Sequence, residues 1–595
     1  MVSLFGKLSR KLLLLGLSAV FLGACATQPP PITKLVGGRQ ITARSVDPTA
    51  YEHMSRALLY EEQGRWQDAA AETQRAILFD DDAPELHAHL AELFLHLGRI
   101  EAAAAEVRTS LKLGSSASGF LADAHVRRAQ GDMAGQVAAL RRAKGEVTFE
   151  SDDDDAESVF LELAEAELHT LDVTAAQGTL EVLTQAEPAS ASGHMRLTAV
   201  YWALGAMTKA EAELRAALTE EPNQIEALTA LAWIYAATGR TDEARKTFRE
   251  DIDRSEGALE IAAAYARFLV GVGSEKEAEQ VADDLAVPDS SLDAETLGDR
   301  IELERSARRL DRALSLLART RDLGIAENQK TRIPLLQAAL LKEQGKSDEA
   351  LAVLMKVGKN SPLYFEARLR AAELLRDGGK ATEAAHVVEE AAGAAKGERD
   401  AIDIEAAISL ALIDEKRGEF KSGVARLEKI LKQHPEEGRA IMNLAAIEER
   451  HGNWQRALDI VERYLVKNPG SVEALNFWGF VAADHDRALD LAKKRLRVAC
   501  ALDPGSGGLI DSLGWVHFRT KDLAKADLFL EQAARLEPAD PEIQWHLGEV
   551  YAERKEGDRA ESAYRRALGF NPDERLRHKL EESLAKLVGR RVSGK

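Results

Sequence analysis

The chain has 595 residues, of which 45% are hydrophobic and 30% charged, so it is too apolar to be disordered throughout. Aromatic residues make up only 5% and helix formers dominate, which excludes an all-β protein. Asp plus Glu number 98 against 78 Lys plus Arg, and the net charge of −20 argues against nucleic acid as a partner. The two cysteines, Cys25 and Cys500, are too few for a disulfide framework or a cysteine-based metal site.

Residues 1–24 have the pattern of a secretory signal: Lys7, Arg10 and Lys11 precede an apolar run over residues 12–22 that is too short to span a membrane well. The run ends in Leu22-Gly23-Ala24-Cys25, which resembles the lipobox of bacterial lipoproteins. The resemblance implies cleavage before Cys25 and acylation of its thiol. An ordinary signal peptide cleaved near residue 24 or 26, leaving a free thiol, is the alternative.

The residue after the cysteine, Ala26, resembles that of lipoproteins sent to the outer membrane of Gram-negative cells. The resemblance implies a protein held at the outer membrane by lipid on Cys25 and facing the periplasm. Residues 25–49 contain three consecutive prolines and the pair Gly37-Gly38 without an apolar period. They predict a flexible tether between the lipid and the folded body.

A unit of about 34 residues repeats through the rest of the chain, over residues 50–574. The clearest copy has Leu547-Gly548 and Tyr551 in a first helix, then Ala560 in a second helix and Pro572 after it. This spacing resembles the tetratricopeptide repeat, and we count about fifteen copies, several of them degenerate. The fold is therefore predicted as an all-α solenoid of helix–turn–helix units.

The whole pattern resembles large lipid-anchored tetratricopeptide-repeat proteins of Gram-negative envelopes. The resemblance implies a right-handed superhelix with a concave groove lined mainly by the first helix of each repeat. Poor repeat consensus at residues 289–291 divides the prediction into an N-terminal array, 50–290, and a C-terminal array, 291–574. Residues 575–595 carry a leucine stripe opposite charged residues, which predicts a capping helix and tail.

No motif of a known catalytic, nucleotide or metal site is present, so we expect no enzyme activity, no cofactor, no metal and no small-molecule substrate. The densest histidine group, His87, His89 and His96, cannot direct three side chains to one face of a helix and is interpreted as solvent-exposed. Cys500 lies among apolar residues of a second helix and is interpreted as a buried structural thiol.

Four tryptophans lie beside the packed stripe of first helices, on the face that the resemblance assigns to the groove. They form two pairs in neighbouring repeats, Trp202 with Trp233 and Trp515 with Trp545, and Phe518 lies one turn beyond Trp515. Exposed aromatic residues with a polar edge anchor protein interfaces, so these five residues are candidates for binding a partner. The alternative is that they only fill space between successive first helices.

These features favour a non-catalytic scaffold that binds proteins or peptides of an envelope complex. By resemblance, such a scaffold supports assembly of an outer-membrane secretion, pilus or exopolysaccharide-export machine. A second hypothesis is a regulatory adaptor that recruits a periplasmic protease or peptidoglycan hydrolase to its substrates.

Overall fold

The computed structural model describes residues 32–36, 39–43, 46–149, 155–222, 224–286, 294–319, 327–395, 398–570 and 572–593. Signal residues 1–24, Cys25 and the first part of the predicted tether lie outside the described residues. In the described part of the chain, no helix is long and apolar enough to cross a bilayer. Contacts divide the chain into two compact units, Met1–Arg196 and Leu197–Lys595, called here the N-terminal and C-terminal units.

A short antiparallel hairpin precedes the helices, within the segment predicted as a tether. Strands β1 (Ile32–Val36) and β2 (Arg39–Ala43) pair in the register Ile32 to Ala43 and Val36 to Arg39. The intervening Gly37-Gly38 lies outside the described residues. The hairpin gives ten residues of the predicted tether a regular secondary structure.

The rest of the described chain is helical, as predicted, with thirty-one helices that form fifteen consecutive pairs and one final helix. The first nine helices are α1 (Pro48–Glu62), α2 (Trp66–Phe79), α3 (Pro84–His96), α4 (Ile100–Leu113), α5 (Ala117–Ala129), α6 (Met133–Glu146), α7 (Asp155–His169), α8 (Val173–Ala186) and α9 (Ala191–Ala203). Helices α10 to α20 are α10 (Met207–Glu220), α11 (Ile225–Ala237), α12 (Thr241–Arg254), α13 (Leu259–Gly271), α14 (Glu275–Asp284), α15 (Ala294–Ser306), α16 (Leu310–Arg319), α17 (Glu327–Glu343), α18 (Ser347–Met355), α19 (Tyr364–Asp377) and α20 (Ala381–Ala394). The remaining helices are α21 (Arg399–Lys416), α22 (Phe420–Gln433), α23 (Gly438–Arg450), α24 (Trp454–Lys467), α25 (Val472–Asp484), α26 (Leu489–Leu502), α27 (Gly507–Arg519), α28 (Leu523–Leu536), α29 (Pro541–Glu553), α30 (Gly557–Gly569) and α31 (Glu574–Ser593).

Within each unit, most first helices contact their own second helices, and many also contact the first helix of the next pair. Small residues make this close packing possible. A Cβ on Gly548 of α29 would lie 2.4 Å from Cε1 of Tyr564 in α30, and one on Gly514 would lie 2.7 Å from Cγ of Leu530. The predicted alanine of the second helix is fully buried, as at Ala526 and Ala560. The repeat therefore encodes a helix pair whose remaining apolar face only the next pair covers.

The predicted division between two arrays at residue 290 falls in residues 287–293, outside the described residues, and it stays a prediction. Each compact unit has its own apolar clusters. Leu90, Leu93 and Phe94 lie in one cluster of the N-terminal unit. Val388 and Ile413 lie in one of the C-terminal unit.

The turn inside each pair requires a backbone conformation that glycine adopts most easily. Gly452 has φ +85° there, whereas Lys555 occupies the same position of its own repeat with φ +65°. A side chain in this left-handed region costs about 1–2 kcal/mol. Lys555 is exposed, so the strain is not offset by burial.

We therefore expect Lys555→Gly to stabilise the C-terminal unit by about 0.5–1 kcal/mol, because relief of strain exceeds the added entropy of the unfolded chain. Gly452→Ala should destabilise it by a similar amount. Urea unfolding followed by circular dichroism measures both changes. Lys555→Ala is the matched control, since it removes the same side chain and keeps the strain. An equal gain in Lys555→Ala and Lys555→Gly would contradict the argument.

Candidate functional site

A pocket of about 360 Å³ opens on four consecutive first helices of the C-terminal unit, α23, α25, α27 and α29. Repeats of 34 or 35 residues bring equivalent positions to one side, so that Asn443, Phe477 and Ser512 follow one another along it. We call this surface the open groove. Its lining residues are Met442, Asn443, Ala446, Glu473, Asn476, Phe477, Phe480, Gly508, Asp511, Ser512, Asp540, Glu542 and Ile543.

Four of the lining residues carry carboxylates. Groups of the protein itself balance the negative charge of two of them, Asp511 and Asp540. Both carboxylate oxygens of Asp511 lie 2.9 Å from Nδ1 of the fully buried His546. Burial lowers the pKa of His546, but the charge and hydrogen bond of Asp511 outweigh it and raise the pKa overall. Asp540 caps α29, where its Oδ1 accepts hydrogen bonds from the backbone N–H groups of Glu542 and Ile543 at 2.8 and 3.0 Å.

The other two carboxylates, Glu473 and Glu542, are exposed, and neither forms a side-chain hydrogen bond or ion pair with the described residues. Protein atoms nevertheless surround Glu542. This partial desolvation, with Asp511 and Asp540 nearby, raises the pKa of its carboxyl, although His546 and Lys579 oppose the change. Because burial disfavours the charged form of the Glu542 carboxyl, a cationic group that reached it would stabilise that form.

Apolar side chains complete the open groove. Ile543 and Met442 are buried, and Phe477 and Phe480 are half-buried. The Oδ1 atom of Asn476 is shielded from solvent and has no hydrogen-bond partner among the described residues. The surface therefore combines apolar contact area with unfilled acceptors, which is the usual composition of a recognition site.

Helix α31, predicted only as a cap, also borders the groove helices. Arg575 Nη1 lies 3.1 Å from Oε1 of Glu449 at the end of α23. Lys579 Nζ lies 3.8 Å from Oδ2 of Asp484 at the end of α25 and 4.4 Å from the centroid of the Trp545 ring. The buried Leu580 and Leu587 provide its packed face, in agreement with the predicted leucine stripe.

Of the C-terminal aromatic candidates, the two tryptophans are buried and Phe518 is half-buried. Trp515 is 3% exposed and Trp545 is 7% exposed, so the expectation of exposed aromatic anchors is wrong for both. The centroid of the Trp515 ring lies 4.1 Å from that of His546, 5.0 Å from that of Phe518 and 5.4 Å from that of Trp545. Through His546 this cluster supports Asp511 of the open groove. Direct partner binding by Trp515, Phe518 and Trp545 stays a prediction.

The other tryptophan pair contacts a distant helix of the same unit. Trp202 Nε1 donates a hydrogen bond to Oε1 of Gln532 in α28 at 3.0 Å, and both side chains are buried. Trp233 is 8% exposed, and a Cβ on Gly271 would lie 2.5 Å from its Cη2 and 2.6 Å from the carbonyl oxygen of Arg535. These two tryptophans therefore pack against α28 of their own chain, which a pattern of neighbouring repeats could not reveal. Their role in partner binding stays a prediction.

Comparison with known proteins agrees with this repeat geometry. Family models described as "Tetratricopeptide repeat" match residues 201–251 and residues 54–118, 335–399, 408–472 and 512–575, just over half of the chain. The chain belongs to the tetratricopeptide-repeat family. Proteins of this family act as protein-interaction scaffolds, and the fifteen helix pairs agree with the predicted number of repeats.

Individual relatives are distant. The TPR repeat-containing protein PA4667 of Pseudomonas aeruginosa is 25% identical over 210 residues, which are 35% of each chain. A tetratricopeptide repeat protein from Parabacteroides merdae is 16% identical with a TM-score of 0.33, over 44% of this chain and 99% of that one. The APC/C hetero-tetramer Cut9–Hcn1 is 16% identical with a TM-score of 0.34, over 84% of this chain and 90% of that one.

Several residues of this tetratricopeptide-repeat chain have structural roles. Cys500 is buried as predicted, and its Sγ lies 3.4 Å from the carbonyl oxygen of Leu509, while burial raises the pKa of the thiol. Trp66 stacks on His96 with ring centroids 4.2 Å apart. Trp454 stacks on His485 in the same way.

The interpretation of all three clustered histidines as solvent-exposed is wrong for two of them. His87 is buried with Nδ1 2.7 Å from Oε2 of Glu106, and the half-buried His89 has Nε2 2.8 Å from Oε1 of Glu61. Carboxylates on packed helices face these rings, and the pairing permits their burial. No group of three or more His, Cys, Asp or Glu in the described part of the chain is placed to hold a metal ion.

Proposed function

We propose that this tetratricopeptide-repeat protein is a non-catalytic scaffold, lipid-anchored at Cys25 to the outer membrane and facing the periplasm. It would support assembly of an outer-membrane secretion, pilus or exopolysaccharide-export machine. The observation that carries the proposal is the open groove on α23, α25, α27 and α29, where apolar side chains and unpaired carboxylates remain accessible. At Trp202 and Trp233, by contrast, the chain covers first-helix surface with its own helix α28.

The anchor is supported by the signal pattern of residues 1–24 and by Leu22-Gly23-Ala24-Cys25. We expect Cys25→Ser to move the protein from the membrane fraction to a soluble or signal-retaining form, because acyl chains can no longer be attached. Fractionation of cells that express either version measures the change. Cys500→Ser is the matched control and should leave fractionation unchanged. A Cys25→Ser protein that fractionates like the original would contradict lipidation.

The groove is tested by replacing Asn443 with a photo-crosslinking phenylalanine analogue in living cells. We expect protein adducts at this site, because its side chain lines the pocket. The same analogue at Lys429, on the exposed surface of α22, is the control and should give none. Adducts with pore or export subunits would support the scaffold, whereas adducts with proteases or hydrolases would replace it by the adaptor hypothesis. Absence of any adduct at residue 443 would contradict partner binding in the groove.

A further inference from the structure

We propose that the open groove binds a partner segment that combines lysine or arginine residues with apolar residues. This inference rests on the proposed function of the groove as a protein-binding site and names the chemistry of the partner. The negative charge of the groove favours a basic partner. Four of the thirteen lining residues are carboxylates, and none is lysine or arginine.

The four carboxylates are not equivalent. Asp511 already has His546, and Asp540 caps a helix N-terminus, so both are largely compensated. Glu473 on α25 and Glu542 on α29 keep their charge facing solvent, on opposite sides of α27 in the repeat order. Cationic side chains of a partner segment that reach these carboxylates would form charge-assisted contacts with them, while an acidic segment would be repelled.

Helix α31 provides an example of this recognition within the chain. Its Arg575 and Lys579 are four residues apart, which puts them on one side of the helix, and they reach Glu449 and Asp484. These two carboxylates lie at the C-terminal ends of α23 and α25, whose earlier residues line the open groove. The same two first helices therefore already bind a segment with regularly spaced cations.

The apolar residues of the groove require more than charge from a partner. Phe477 and Phe480 are half-buried and line the same pocket as Glu473 and Glu542, where they offer accessible ring surface. Long basic side chains also pack their methylene stems on apolar surface. An amphipathic basic segment satisfies both requirements, charge and apolar contact.

The test uses the full-length protein and three fluorescein-labelled peptides of twelve residues, followed by fluorescence anisotropy at 150 mM NaCl. One peptide alternates Lys and Leu, the second has Glu for every Lys, and the third has Ser for every Leu. We expect the Lys–Leu peptide to bind most tightly and its affinity to fall as salt is raised. The Lys–Ser peptide should bind more weakly, and the Glu–Leu peptide should not bind.

Variants of the groove separate specific recognition from attraction to an acidic protein. Glu473→Gln with Glu542→Gln should weaken binding of the Lys–Leu peptide at least about tenfold, since two charge-assisted contacts are lost. Asp348→Asn with Glu349→Gln removes the same charge from exposed positions of α18 and is the matched control. The affinity of this control variant for the Lys–Leu peptide should stay within about twofold of that of the original protein. Equal weakening in both double variants, or none in either, would overturn the inference.

The failure of this inference can be distinguished from that of the scaffold proposal. If residue 443 captures a protein in cells and an excess of the Lys–Leu peptide does not reduce that adduct in extracts, the basic partner class is wrong and groove binding stands. Competition by the Glu–Leu peptide would likewise overturn the charge assignment. If residue 443 captures nothing, the proposed function itself fails.

Discussion

Replacing Trp515 by alanine is expected to destabilise the C-terminal unit by about 3–5 kcal/mol, the usual cost of removing a buried aromatic side chain. Its ring contacts Phe518, Trp545 and His546, and it is 3% exposed. Thermal unfolding followed by circular dichroism measures the effect. A normal transition combined with loss of partner capture would instead favour the original hypothesis that Trp515 is an interface anchor.

A contrast between two phenylalanine variants tests the same interpretation more sharply. Trp515 Nε1 has no hydrogen-bond partner among the described residues, so Trp515→Phe loses only packing. Trp202 Nε1 donates to Gln532, so Trp202→Phe also leaves a buried amide oxygen without its donor. Such a group costs about 1–3 kcal/mol. Trp202→Phe should therefore be more destabilising than Trp515→Phe by about that amount.

The control for this contrast is the double variant Trp202→Phe with Gln532→Met. Because it replaces both polar partners by apolar groups, it should recover most of the stability that Trp202→Phe loses. Gln532 Nε2 has no partner among the described residues, so its removal costs little. If Gln532→Met instead adds to the loss, the hydrogen bond between α9 and α28 is not what stabilises this contact.

The sequence predicts the repeat structure well because each repeat is a local unit. Gly548 and Ala560 are small where two helices must approach, and their spacing alone places them on facing sides. Contacts between distant repeats have no such periodic signal. The pairing of Trp202 with Gln532, 330 residues later, depends on how curvature accumulates over many repeats.

The candidate site shows the same limit. The pocket residues lie on or next to first helices, and the tryptophans predicted to line the groove lie on first helices as well. The structure buries Trp545 beneath Lys579 of α31 and leaves Glu473 and Asn476 in the pocket instead. Periodicity predicts which helix faces the groove, but accessibility depends on neighbours that are remote in sequence. Ordinary glutamates and asparagines carry no sequence signal that would have identified them.

The N-terminal unit is expected to lose stability as the pH rises, because of a charged histidine between two glutamates. His125 of α5 lies with Nδ1 2.7 Å from Oε1 of Glu92 in α3 and with Nε2 2.8 Å from Oε2 of Glu162 in α7. Burial lowers the pKa of His125, but the two carboxylates outweigh it and raise the pKa to about 9. The protonated ring thus links the first helices of three consecutive repeats.

Because the folded pKa of His125 exceeds its unfolded value of about 6.5, its stabilisation is complete below pH 6.5 and is lost as the pH rises through about 9. We expect His125→Gln to lower the free energy of unfolding by roughly 2–3 kcal/mol at pH 6 and by much less at pH 10. Urea unfolding at both values measures the difference. His386→Gln, on an exposed face of α20, is the control and should show no such dependence. An equal loss for His125→Gln at pH 6 and pH 10 would mean that the ring stabilises the helices by packing and not by charge.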